Sequence, residues 1–194
     1  MVVAMHVPAP FLLAALGLTV LSAASTLAAT KSPPQAAQKD PPAASATPVE
    51  LGKTQDWAAW SFAEKGAKVC YLLGHPAKSQ PAKLNRGRID AIITHRPGEK
   101  AVNVVNFDVG YTFKEGTDAE LDIDGKKFTL FTEKDAAWAR DAATDKAVVE
   151  ALAKGKQATL KGTSAHGTVT TDTYKLTGFS EILSAIDKAC GIKR

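Results

Sequence analysis

Ser164, His166 and Asp172 fall within one short stretch near the C-terminal end of the chain. A hydroxyl, an imidazole and a carboxylate can serve as a nucleophile, its base and the group that orients the base. Gly162-Thr163-Ser164-Ala165-His166 approaches the G-x-S-x-G elbow, but His166 stands where the last glycine belongs. The surrounding pattern is also a hairpin and not the strand–turn–helix that the elbow requires. A hydrolase built on these three residues is therefore the alternative reading, and no catalytic residue is assigned.

Lys83, Arg86, Arg88 and Arg96 lie in or beside one loop region and are the candidates for contact with an anionic ligand. Guanidinium groups can hold carboxylates or phosphates with two parallel hydrogen bonds. The bland reading of the same charges is a solvated basic edge that discourages strand pairing. Asp122-Ile123-Asp124-Gly125 resembles the start of a calcium loop, but its glycine comes too early and no glutamate follows at the required offset. A hairpin turn accounts for it better. His75, His95 and His166 lack ligand spacing, so neither a metal nor a cofactor is expected. Trp57, Trp60 and Trp138 could form a binding platform, although aromatic residues in a small β domain are usually core.

The elements that must position these residues read as mostly β. Residues 56–62, 67–73 and 88–95 carry strand patterns. In the second, Val69, Tyr71 and Leu73 line one face while Cys70 and Leu72 line the other, so both faces call for cover. Pro76 and Pro81 bracket a loop-like stretch, and Arg96-Pro97-Gly98-Glu99 is turn chemistry. A change of apolar phase places a bulge near Val104. Asp124-Gly125 joins two further strands as a hairpin. A helix capped by Thr144 ends before Gly155. A final hairpin spans 158–161 and 168–176. A last helix, capped by Ser180, carries Ile182, Leu183, Ile186, Ala189 and Cys190 on one face and stops at Gly191.

The first thirty of the 194 residues contain no Asp, Glu, Lys or Arg, and the apolar run from Pro10 to Ser25 precedes small residues at Ala28 and Ala29. Residues 1–29 read as a cleaved signal peptide, residues 30–49 as a disordered Pro/Ala-rich linker, and residues 50–194 as the folded domain. Retention of the leader would instead give a membrane-tethered structural protein. After cleavage no stable transmembrane segment is expected. The net charge of +4 is mild and suits solubility. Two cysteines in an exported chain are most simply a Cys70–Cys190 disulfide, with two free buried thiols as the alternative. If the last helix lies on the Cys70/Leu72 face, it supplies both cover and bond.

The chain resembles the invasion-associated locus B family of exported bacterial proteins over most of residues 57–190. The resemblance is carried by Val69-Cys70-Tyr71, Arg86-Gly87-Arg88, Arg96-Pro97, the run Gly110 to Gly116, Ile123-Asp124-Gly125 and Ala137-Trp138-Ala139. It is densest at Lys161-Gly162-Thr163-Ser164, Gly167 to Tyr174 and Gly178-Phe179-Ser180. It implies a compact β-sandwich-like domain, a signal peptide and a periplasmic or outer-envelope location, and in pathogens a link to host-cell invasion. The late cysteine pair of many members is missing here, and the resemblance brings no catalytic residues with it. The combined expectation is a single antiparallel β-sandwich-like domain with two short helices, the second packed on the sheet. It would act without catalysis by binding an unidentified protein or envelope component, anionic if the basic loop makes the contact. Nucleic acid is not among the expected partners.

Overall fold

The structure is a computed structural model and describes residues 47–194. The signal peptide and nearly all of the linker read from the sequence lie outside these residues. The chain runs β1 (Val49–Lys53), β2 (Trp57–Glu64), β3 (Ala67–Gly74), β4 (Lys78–Gln80), β5 (Asp90–Arg96), a 3-10 turn (Pro97–Glu99) and β6 (Ala101–Asp108). It continues through β7 (Ala119–Ile123), β8 (Lys126–Glu133), β9 (Ala136–Trp138), α1 (Ala142–Lys154), β10 (Gln157–Thr163), β11 (Val169–Lys175) and α2 (Phe179–Cys190).

The eleven strands of the described residues join one antiparallel sheet in the order β1-β2-β3-β5-β6-β9-β8-β7-β10-β11-β4. The sheet folds back so that its two halves meet across one core. Phe107 of β6 packs edge-on against Tyr174 of β11 at 5.7 Å, and Trp57 of β2 lies 6.4 Å from the same ring. The sandwich-like layering thus comes from one continuous sheet turned on itself. Both helices contribute to that core, α1 through Val148, Val149 and Leu152, and α2 through Phe179, Ile182, Leu183 and Ile186.

Alternation decides which side chains enter. Cys70 and Leu72 point inward with Ile93, Val105 and Phe107. α2 lies over this face, and Cys70 is bonded to Cys190 with the Cα atoms 6.1 Å apart. The sequence separation of 120 makes this a long closed loop, which in the chain-entropy view stabilises the fold by about 4–5 kcal/mol. At the inner end of β3, Gly74 sits opposite Trp57, and a Cβ there would lie 2.5 Å from the indole ring. Only a residue without a side chain lets β2 and β3 pair around that tryptophan.

Several local expectations need correction. The stretch between Pro76 and Pro81 contains β4, which pairs with β11 through Thr171↔Gln80 and Thr173↔Lys78. Its Lys-Ser-Gln composition carries no apolar signal, so only the partner strand reveals it. β1 and β9 also lie where no strand was expected. α1 is capped by Asp141, whose carboxylate accepts the Thr144 N–H at 2.7 Å. α2 opens at Gly178 with φ 82°, and Ser180 instead donates its hydroxyl to Ala153 O of α1 at 2.6 Å. The bulge expected near Val104 is present, at Asn103, which has φ 63°. Asp124 and Gly125 both take positive φ, as the two-residue hairpin between β7 and β8 requires.

Candidate binding cleft and buried ion pairs

The four basic residues of the loop region do not form one patch. Arg86 is drawn inside: its side chain is 4% exposed, and it grips the 1%-exposed Asp172 with both terminal nitrogens. It also donates to Val109 O at 3.3 Å and lies 5.8 Å over the Tyr111 ring. Tyr111 in turn shares a 2.6 Å hydrogen bond with Thr170. Burial pushes the Tyr111 hydroxyl above its ordinary pKa. Arg96 pairs with Glu64 across the outside of the sheet, while Lys83 is exposed. Arg88, with its side chain 66% exposed, pairs with buried Asp90.

The Ser164, His166 and Asp172 set is likewise divided. Ser164 is buried and its hydroxyl accepts the Thr168 N–H at 3.1 Å, inside the turn between β10 and β11. His166 is exposed at that turn, and Asp172 points into the core onto Arg86. No hydrogen bond joins the three. The acids of the Asp122–Gly125 turn serve the backbone: Asp122 accepts the Gly125 N–H at 2.8 Å, and Asp124 accepts from Lys156 and Gln157.

A second buried network went unread in the sequence. His95 Nδ1 accepts the Asn103 N–H at 3.0 Å, so Nε2 carries the proton and donates to Asp187 Oδ1 at 2.9 Å. Arg194 closes the far side of Asp187 through Nε at 2.5 Å and Nη2 at 3.0 Å, and also donates to Asn103 Oδ1. The arrangement resembles the base and orienting acid of a triad, but a backbone N–H occupies the nucleophile's place. It ties the C-terminal turn of α2 to the bulge in β6. Burial holds the imidazole below its ordinary pKa, with the Asp187 hydrogen bond partly opposing. Nearby, Asp145 of α1 accepts the Val105 N–H at 2.8 Å, and burial pushes its carboxyl up to about 6.

The outer side of the sheet differs in kind. Trp60 stacks on Tyr71 with ring centroids 5.5 Å apart, and Phe62 meets Tyr71 edge-on at 6.0 Å. With Val69, Leu73 and Ile92 they share the face opposite the core, and none belongs to the core cluster. Of the tryptophans, Trp57 is core, whereas Trp60 and Trp138 are half-buried on this outer face. At the end of the face a cleft of about 380 Å³ opens between the β1–β2 turn, His75 and Arg88. Its apolar wall is made by Ala58, Trp60 and Leu73.

The family model for invasion-associated locus B protein matches residues 57–187. The chain belongs to the invasion-associated locus B family. The crystal structure of invasion associated protein B from Bartonella henselae is similar in fold, with a TM-score of 0.52 and 17% sequence identity. The likeness covers 73% of this chain and 96% of that one. No curated protein matches the chain. Within this member of the invasion-associated locus B family, β1 and the Arg194 end of the buried network fall outside the matched residues. No described helix is long and apolar enough to cross a membrane.

Proposed function

We propose that this member of the invasion-associated locus B family is an exported, non-catalytic envelope protein that acts by surface recognition and contributes to host-cell association. The family match over residues 57–187 carries the reading. Three features support it. The Cys70–Cys190 bond suits an oxidising compartment outside the cytoplasm. Asp172, the carboxylate nearest to catalytic spacing, is held in a buried pair with Arg86. An outer cleft gathers Trp60, Gln55, Asp56, His75 and Arg88 at the surface. The partner is a protein or another component of the envelope or host surface.

The reading is tested in the organism that makes the protein. A deletion strain should keep its growth rate and lose host-cell association, and the full-length gene should restore it. The protein from the envelope fraction should begin near Ala29 or Thr30 and gain two hydrogens on reduction. Unchanged association by the deletion strain, or an uncleaved and reduced chain in the cytoplasm, would overturn the reading.

A further inference from the structure

The cleft beside Trp60 combines features that select a ligand class. Its volume of about 380 Å³ lies in the range of small-molecule sites, toward the lower end. Trp60, already stacked on Tyr71, borders it with a flat aromatic surface, and Ala58 and Leu73 extend that apolar wall. The rest of the lining is polar, with Gln55 and Asp56 from the β1–β2 turn and His75 and Arg88. Amide, carboxylate, imidazole and guanidinium groups are planar and can each make directed hydrogen bonds to neighbouring hydroxyls.

Charge then decides between candidates. Lys53 and Arg88 are cations at the cleft, and Asp56 lines it as well. Asp90, with a 2%-exposed side chain, pairs with Arg88 and lies against His75. His75 Nδ1 is 2.6 Å from Asp90 Oδ1 but poorly directed for a hydrogen bond, and that oxygen has no hydrogen-bond partner among the described residues. The two acids offset the two permanent cations, leaving no surplus positive field for an anion. A wholly apolar ligand would strip water from Asp56, Gln55 and Arg88 without replacing their hydrogen bonds. A neutral ring with an apolar face and a rim of hydroxyls satisfies both kinds of lining.

The frame is also fixed in advance. Thr54 N–H donates to Trp57 O at 2.7 Å, and Thr54 Oγ1 accepts the Trp57 N–H at 3.3 Å, closing the β1–β2 turn. Trp57 Nε1 is anchored on Lys175 O at 2.8 Å. A preformed wall lowers the ordering cost of binding. We infer that this cleft binds a neutral saccharide, with the apolar face of a pyranose ring on Trp60 and its hydroxyls on Asp56, Gln55 and Arg88. This rests on the reading of the protein as a surface-recognition module and specifies what it recognises.

Protein purified from the envelope is applied to an array of neutral and acidic glycans, and a retained saccharide is titrated by tryptophan fluorescence. A neutral glycan should be retained. Trp60→Ala and Asp56→Asn should each weaken binding at least about tenfold, and Lys146→Gln on the far side of α1 should leave it unchanged. Asp56 makes no hydrogen bond within the described residues, so its variant separates recognition from folding; matching thermal midpoints verify this. Three results would each overturn the inference. They are retention of no glycan, retention of acidic glycans alone with salt-sensitive affinity, and affinity unaffected by both variants. A negative array beside a deletion strain that loses host association would reject the saccharide and keep the broader reading.

Discussion

Arg86 and Arg88 stand two residues apart, and the fold uses them in opposite ways. Arg86 is buried with Asp172, its guanidinium hydrogen-bonded to that carboxylate and to Val109 O. Arg88 leans on Asp90 by one nitrogen and turns the rest of its exposed guanidinium toward a cleft. The same contrast separates Trp57 from Trp60, one locked in the core and the other stacked on the outer face. Inside the folded sheet, Arg86 donates to Asp172 and Val109 O, and the Trp57 indole N–H to Lys175 O. The same groups outside keep hydrogen-bonding capacity and ring surface for a partner.

Substitutions on the two sides should differ sharply. The largest effect is expected on the inner side, from replacing both Cys70 and Cys190 by Ala: about 4–5 kcal/mol of stability lost in urea unfolding. Arg86→Ala should cost about 3–5 kcal/mol, because Asp172 would remain buried and unpaired. Trp57→Ala should cost about 3–4 kcal/mol through the cavity left among Tyr174 and Phe179. On the outer side, Arg88→Gln should cost about 1–3 kcal/mol, because buried Asp90 loses its guanidinium partner, and Trp60→Ala about 1 kcal/mol. Similar losses for Arg86→Ala and Arg88→Gln would erase the distinction.

The buried His95–Asp187–Arg194 network sharpens the inner half of the comparison through pH. Because the folded His95 pKa lies below its ordinary value near 6.5, the unfolded chain binds the proton more readily. Its contribution is therefore complete above about pH 6.5 and is lost as pH falls toward the folded pKa. Asp145 works oppositely: its raised folded pKa of about 6 gives stability below its unfolded value, lost as pH rises through 6. Comparing His95→Gln with the parent cancels the Asp145 contribution. The parent should lose stability more steeply between pH 7 and pH 5, as read by urea midpoints, and parallel curves would contradict the assignment of His95.

Much of this division was written in local pattern. Alternation in β3 told the Cys70/Leu72 face from the Val69/Tyr71/Leu73 face, and the stripe on α2 placed Cys190 against the former. Positive-φ chemistry at Asp124-Gly125 marked its hairpin. The strands that were missed are short or at edges: β4 and β9 span three residues each, and β1 closes one side of the sheet. Such segments take their structure from a partner strand, which local composition does not record. The fate of the arginines was hidden for a similar reason. Arg86 finds Asp172 far along the chain, and His95 finds Asp187 and Arg194 only after α2 has docked. The cleft is legible in hindsight only as Trp60 and Leu73 on the uncovered parity of β2 and β3, with the β1–β2 turn supplied by a strand that carried no signal.

The most direct test follows amide chemical shifts of the 15N-labelled protein during titration with the saccharide retained by the array. The expected result is movement confined to residues 53–60, 73–75 and 88, with Arg86, Asp172, His95 and Asp187 unmoved. Shifts centred on the Arg86–Asp172 pair or on the Lys83 loop, with the Trp60 cleft silent, would contradict the assignment of recognition to the outer face.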